Sequence, residues 1–151
     1  MIPRFLFLAI AALVPALAGD AGVRAQFIGG TVGSVPAKSG ARLDLTGSDD
    51  LLFKSGKNTI RIAYRRVNQV EYGQSVSRRY AAAIIISPML LLSKSRKHFV
   101  TLGYTDDEGK QQALVFRVDK GDIRTVLAGL EARTGRRIEY QDGDARKMVK
   151  G

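Results

Sequence analysis

The chain has no cysteine among its 151 residues, which excludes disulfides, thiolate nucleophiles, zinc thiolate centres and lipid-modified cysteine. Packing alone must hold the fold. Histidine is almost as scarce: His98 is the only one, directly after Arg96-Lys97 and at the mouth of an apolar alternating stretch. A general base needs an orienting neighbour and a metal site needs more ligands, and the surrounding sequence supplies neither. His98 therefore reads as a strand-end or surface residue. No G-x-S-x-G, H-E-x-x-H or S-x-x-K pattern stands in a fitting context. Ser55-Gly56-Lys57-Asn58-Thr59 falls short of a phosphate-binding loop, with Leu51 where glycine is needed and Asn58 where serine or threonine is needed. The acids Asp106, Asp107 and Glu108 lack the further oxygen ligands of a calcium site and read as a solvated turn. The expectation is a non-enzymatic protein with no catalytic residue, cofactor or metal.

Long apolar runs are lacking too. Residues 5–17 and 80–92 are each thirteen residues long, short of the roughly 20 needed to span a bilayer. The first run follows Arg4 and precedes Ala16-Leu17-Ala18, the order of a secretory signal: basic, apolar, then small residues. Residues 1–18 are thus expected to be a signal peptide, with Val23-Arg24-Ala25 as a later cleavage site, and the mature protein to be periplasmic or secreted. About 125 to 133 residues then remain, which fits one domain.

Acidic residues are few where bases are many. The whole chain has 24 Lys and Arg against 14 Asp and Glu, a formal net charge of +10. Between Lys54 and Lys97 ten bases face a single acid, Glu71. Such asymmetry favours an anionic surface as partner. Nucleic acid is not expected, because export argues against it and Tyr64, Tyr72, Phe99 and Tyr104 sit at core-like positions, not on a stacking platform.

Residues 19–40, rich in glycine, read as a flexible lead-in. From Ala41 short period-two runs begin: Leu43 and Leu45, then 51–53, then Ile60, Ile62 and Tyr64, then Val70 and Tyr72. Residues 98–104 and 113–118 form a further pair, joined by a charged loop ending in Gly109. Asp119 is expected to cap a helix with Asp122 in capping-box register, Ile123, Val126, Leu127 and Leu130 as its apolar stripe, and Gly135 as its stop. Residues 138–140 form a short extended piece, and 141–151 a loose polar tail.

The predicted order is antiparallel strands followed by one C-terminal helix: a mainly β domain over 41–140, a half-open barrel capped by the helix. The stretch 60–72, read as I-x-I-x-Y-x-x-V-x-x-V-E-Y, resembles the strand, corner and strand of bacterial pleckstrin-homology-like and GRAM-like domains. The resemblance implies a binding or scaffolding module. Members that bind phosphoinositides carry a basic cluster in the first hairpin, whereas this hairpin reads Gly47-Ser48-Asp49-Asp50, a departure that points away from headgroup binding of that type.

An apolar insertion between middle strands stands out. Residues 80–92 carry no charge, Arg78 and Arg79 precede them, and Lys94, Arg96 and Lys97 follow. Base, grease, base is the composition of an interfacial segment. The candidate binding residues are Arg78, Arg79, Ile84, Ile85, Ile86, Leu90, Leu91, Leu92, Lys94, Arg96 and Lys97, with an anionic lipid surface or an envelope protein as partner. The alternatives are that 81–92 packs on the protein's own sheet or forms the subunit interface of a homo-oligomer.

Overall fold

A computed structural model describes residues 22–75 and 97–150. Alternation builds the first part: β1 (Val23–Gly30), β2 (Gly40–Asp44), β3 (Asp50–Ser55) and β4 (Asn58–Ala63) run up and down as consecutive antiparallel neighbours. A 3₁₀ turn, Tyr64–Arg66, makes the corner into β5 (Val67–Gly73), and β6 (His98–Thr105) and β7 (Gln111–Val118) continue the meander. Then come α1 (Ile123–Thr134), β8 (Ile138–Tyr140) and α2 (Gly143–Lys150). Among the described residues the eight strands form one sheet in the order β4-β3-β2-β1-β7-β6-β5-β8, antiparallel except where β8 joins β5.

The sheet is not closed into a barrel. β4 and β8 are its two edges. It is nonetheless strongly curved. In a flat sheet β3 and β7 would stand three spacings apart, about 14 Å, yet the rings of Phe53 and Phe116 lie 6.1 Å apart. Phe27 of β1 bridges them, 5.6 Å from Phe53. Inward residues of β1 to β7, among them Leu43, Leu51, Ile62, Val70, Tyr72, Leu102 and Leu114, form one buried cluster on the concave side.

Helix α1 covers that cluster with the expected stripe, since Ile123, Val126, Leu127 and Leu130 are all buried. A Cβ at Gly129 would come within 3.0 Å of Leu45 Cδ1, so the helix lies close on the turn after β2. Arg133 fastens its far end: Nη1 donates to the Gly47 carbonyl at 2.8 Å, and the guanidinium sits 5.9 Å from the centre of the Tyr64 ring. Gly135 ends the helix as expected, at φ 67° with its N–H on the Glu131 carbonyl. The N-terminus differs from expectation. Asp122 is the N-cap and makes no side-chain capping bond, while Asp119 accepts the N–H groups of Asp122 and Ile123 through its carbonyl.

Three further expectations need correction. The lead-in is not flexible throughout, because Val23–Gly30 forms β1 between β2 and β7 and Val35 is buried. Backbone pairing on both sides makes this strand, with Phe27 as its one large inward side chain. The tail is not uniformly loose, since Gly143–Lys150 is helical and its Ala145 is fully buried. The C-terminal part therefore holds two helices, not one, with β8 between them.

Candidate functional site

Register assembles a row of cations that lie far apart in sequence. Arg24 stands directly opposite Arg42, and Arg42 directly opposite Lys54. Their strand neighbours Leu43 and Phe53 point into the core, so the row lies on the outer, convex face. Like charges directly opposite one another destabilise a sheet. Local contacts soften the repulsion: Arg42 Nη1 donates to the Gly22 carbonyl at 3.2 Å, and Lys54 Nζ lies 3.6 Å from Asp44 Oδ2. Asp44 is itself fixed by Thr46, which donates its hydroxyl at 2.6 Å and its backbone N–H at 3.0 Å. Those two bonds, helped by Lys54 and opposed by burial, hold its carboxyl below the usual range.

The row borders a shallow recess lined by Arg24, Arg42 and Lys54 around Gly40 and Gly56. A second recess at the same end of the sheet is lined by Lys97, His98, Arg117, Asp119 and Lys120. The two are neighbours. Arg117 pairs with Gln26, two positions along β1 from Arg24, which places the two bases about 8 Å apart on one face. Among the described residues six bases thus gather near Asp119 and Asp44.

The insertion is rooted beside this surface. Residues 76–96 leave after Ser75 and return at Lys97, which lines the second recess. Gln141 holds the departing strand: its N–H donates to the Tyr72 carbonyl at 3.0 Å, and its amide donates to Glu71 Oε1 at 2.9 Å and to the Ser75 carbonyl at 3.0 Å. Helix α2 braces the same end through Gln74 and Met148.

His98 opens β6, as the strand-end alternative expected, but it faces inward and is only 7% exposed, so it is not on the surface. Its Nδ1 is 2.6 Å from the Tyr72 hydroxyl, and Tyr140 meets the Tyr72 ring edge-on at 6.2 Å. Burial, with the positive charge of Lys120, lowers the histidine pKa against a smaller opposing effect of Asp119. The pair is a packed polar contact inside the core's lower end.

Of the residues singled out from sequence, Lys97 alone is described; Arg78, Arg79, Ile84, Ile85, Ile86, Leu90, Leu91, Leu92, Lys94 and Arg96 lie outside the described residues. Sequence reasoning missed Arg24, Arg42, Arg117 and Lys120, whose proximity only strand register reveals. Among the described residues no group of three or more His, Asp or Glu is placed to hold a metal ion, and no helix is long and apolar enough to cross a membrane. No family model matches the chain, and no curated protein matches it.

Proposed function

We propose that this is a non-catalytic, exported binding module of pleckstrin-homology-like architecture that associates with an anionic membrane surface through its convex cationic face. The carrying observation is the Arg24–Arg42–Lys54 row, because an outer face with no charged partner to meet gains nothing from placing like charges directly opposite on adjacent strands. Arg117, Lys97 and Lys120 extend the same field, and the flanks Arg78, Arg79, Lys94 and Arg96 add to it from the insertion. The meander, the corner at Tyr64–Arg66 and the helix over the concave side support the architecture. Signal cleavage after Ala18 suits it better than cleavage after Ala25, which removes Val23, Arg24 and Ala25 from β1 and Arg24 from the row.

Co-sedimentation of the full chain with vesicles tests this reading. Binding is expected on phosphatidylglycerol-containing vesicles and not on pure phosphatidylcholine, and it should fade as salt shortens the screening length. Replacing Arg24, Arg42 and Lys54 with Gln should weaken it about a hundredfold, at roughly 1 kcal/mol for each base near the surface. Equal binding to neutral vesicles, or indifference to the triple substitution, overturns the proposal.

A further inference from the structure

Strand β4 has a neighbour on one side only among the described residues. Ser55 and Asn58 close the two-residue turn between β3 and β4 as a hydrogen-bonded pair, and the Tyr64 N–H on the Asp49 carbonyl at 2.8 Å keeps the same alternation past the end of β4. Asn58, Ile60 and Ile62 therefore bond to β3, while Thr59, Arg61 and Ala63 turn their N–H and C=O groups outward. The strand carries none of the usual blocks to further pairing: it has no proline and no bulge, and Arg61 is its only charged side chain.

The C-terminal half of this edge opens on a recess of about 360 Å³, which Arg61, Ile62 and Ala63 line together with Tyr104 and Thr105 from the end of β6. Arg65 and Arg66 line it from the 3₁₀ corner that follows β4. Three carboxylates line it too, and each is engaged. Asp50 Oδ2 accepts from Arg61 at 3.1 Å, Asp107 pairs with Arg66, and Asp106 accepts the N–H groups of Glu108 and Lys110 and the Gln112 amide. Arg65, exposed and without a partner among the described residues, is left as the uncompensated charge. The Tyr104 hydroxyl has no hydrogen-bond partner among the described residues either, and burial, with Asp106 adding to it, pushes its pKa up to about 12, so it stays a donor.

We propose that this edge and recess bind the C-terminal end of an extended peptide of another protein. In a strand added parallel to β4, one peptide residue donates to the Arg61 carbonyl and accepts from the Ala63 N–H, and the chain then runs on to the corner. There its terminal carboxylate meets Arg65 and the Tyr104 hydroxyl, in charge-assisted hydrogen bonds. Polarity selects the parallel sense, because an antiparallel segment brings its amino end to the arginines. Charge selects the carboxylate: one uncompensated arginine beside three engaged acids suits a monoanion and opposes a phosphate dianion. This inference goes beyond the membrane reading and can fail separately from it, because its test contains no lipid.

Backbone amide NMR of the full chain, titrated with the β-forming peptide acetyl-Thr-Val-Thr-Val bearing a free carboxylate, tests the proposal. Saturable shifts are expected at Arg61, Ala63 and Thr105, and the same peptide as its C-terminal amide should bind about tenfold or more weakly. Two substitutions separate the two contacts. Arg65→Gln changes a side chain that holds nothing in the fold and should weaken the free acid about tenfold or more, towards the affinity of the amide. Ala63→Pro removes one outward N–H and leaves the β3 ladder whole, since φ is already −64° there, and it should weaken both peptides about tenfold or more. Equal affinity of acid and amide overturns the proposal. So does the absence of saturable shifts along β4, undiminished binding to folded Ala63→Pro protein, or an equal affinity for inorganic phosphate at the same amides, which would mean a small-anion site. Arg65→Gln decides alone if Ala63→Pro does not fold, and undiminished binding of the free acid to it overturns the inference.

Discussion

The Tyr72 hydroxyl lies 2.6 Å from His98 Nδ1 across the β5–β6 pair, inside the end of the sheet where residues 76–96 depart. Nδ1 accepts the phenolic proton in one neutral tautomer and donates to the hydroxyl in the other, and burial together with Lys120 favours the neutral ring, with Asp119 opposing. The histidine pKa therefore falls below its ordinary value of 6.5 on folding. Its stabilising contribution is complete above that value and is lost as pH falls from there through the folded-state value, because the unfolded chain binds the proton first. Denaturant midpoints should drop as pH falls below the ordinary histidine value of 6.5, a range in which His98 is the only histidine to titrate. His98→Gln should flatten the profile there, and an unchanged slope in that variant would remove His98 as its cause.

Two tyrosines predict opposite results for the same substitution. Tyr72→Phe strands the buried histidine nitrogen and should cost about 1 to 2 kcal/mol. The Tyr64 hydroxyl is buried with no hydrogen-bond partner among the described residues. Tyr64→Phe removes that burden and keeps the ring beneath Arg133, so it should leave stability unchanged or raise it. Paired thermal melts check the contrast, and equal losses would contradict it.

Gly135 isolates a backbone effect. It ends α1 at φ 67°, and a Cβ there would meet nothing within 4 Å, so any loss on substitution is conformational and not steric. Gly135→Ala should cost about 1 kcal/mol, whereas Gly135→Asn, which tolerates the left-handed region better, should cost less. Urea denaturation resolves the difference, and an alanine variant as stable as the parent would mean that α1 ends differently in solution.

What the sequence made legible was whatever side-chain period could carry. Leu51 with Phe53, Val70 with Tyr72, and the stripe from Ile123 to Leu130 all read correctly as buried. Strand β1 was hidden because Phe27 is its one large inward side chain and an irregularity between Phe27 and Gly29 breaks the alternation before two glycines. Helix α2 was hidden because its buried residue is an alanine, too small to draw an apolar stripe. Linear charge counting caught Lys54 and Lys97 and overlooked Arg24, Arg42 and Arg117, since no local pattern announces which strands will lie side by side. Membership of the row is a property of pairing. The place of β8 has the same origin, because it takes the outer edge of β5 from a distant part of the chain.

The cationic row predicts a conflict between stability and binding that one residue can expose. Arg24 is exposed and directly opposite Arg42, while the contact to the Gly22 carbonyl comes from Arg42. Arg24→Thr therefore relieves the cross-strand repulsion, installs a residue suited to a strand and leaves that contact in place. In low salt the variant should be more stable by about 0.2 to 1 kcal/mol, the scale of a cross-strand pair. At 1 M salt, where screening acts within about 3 Å, the gain should shrink to what strand propensity alone provides. Affinity for anionic vesicles should fall in the same protein. A surface shaped only for solubility predicts neither the salt-dependent gain nor the lost affinity. If Arg24→Thr instead lowers stability in low salt, the row is held by favourable contacts and is not strained, and the argument that it is kept for an anionic partner loses its footing.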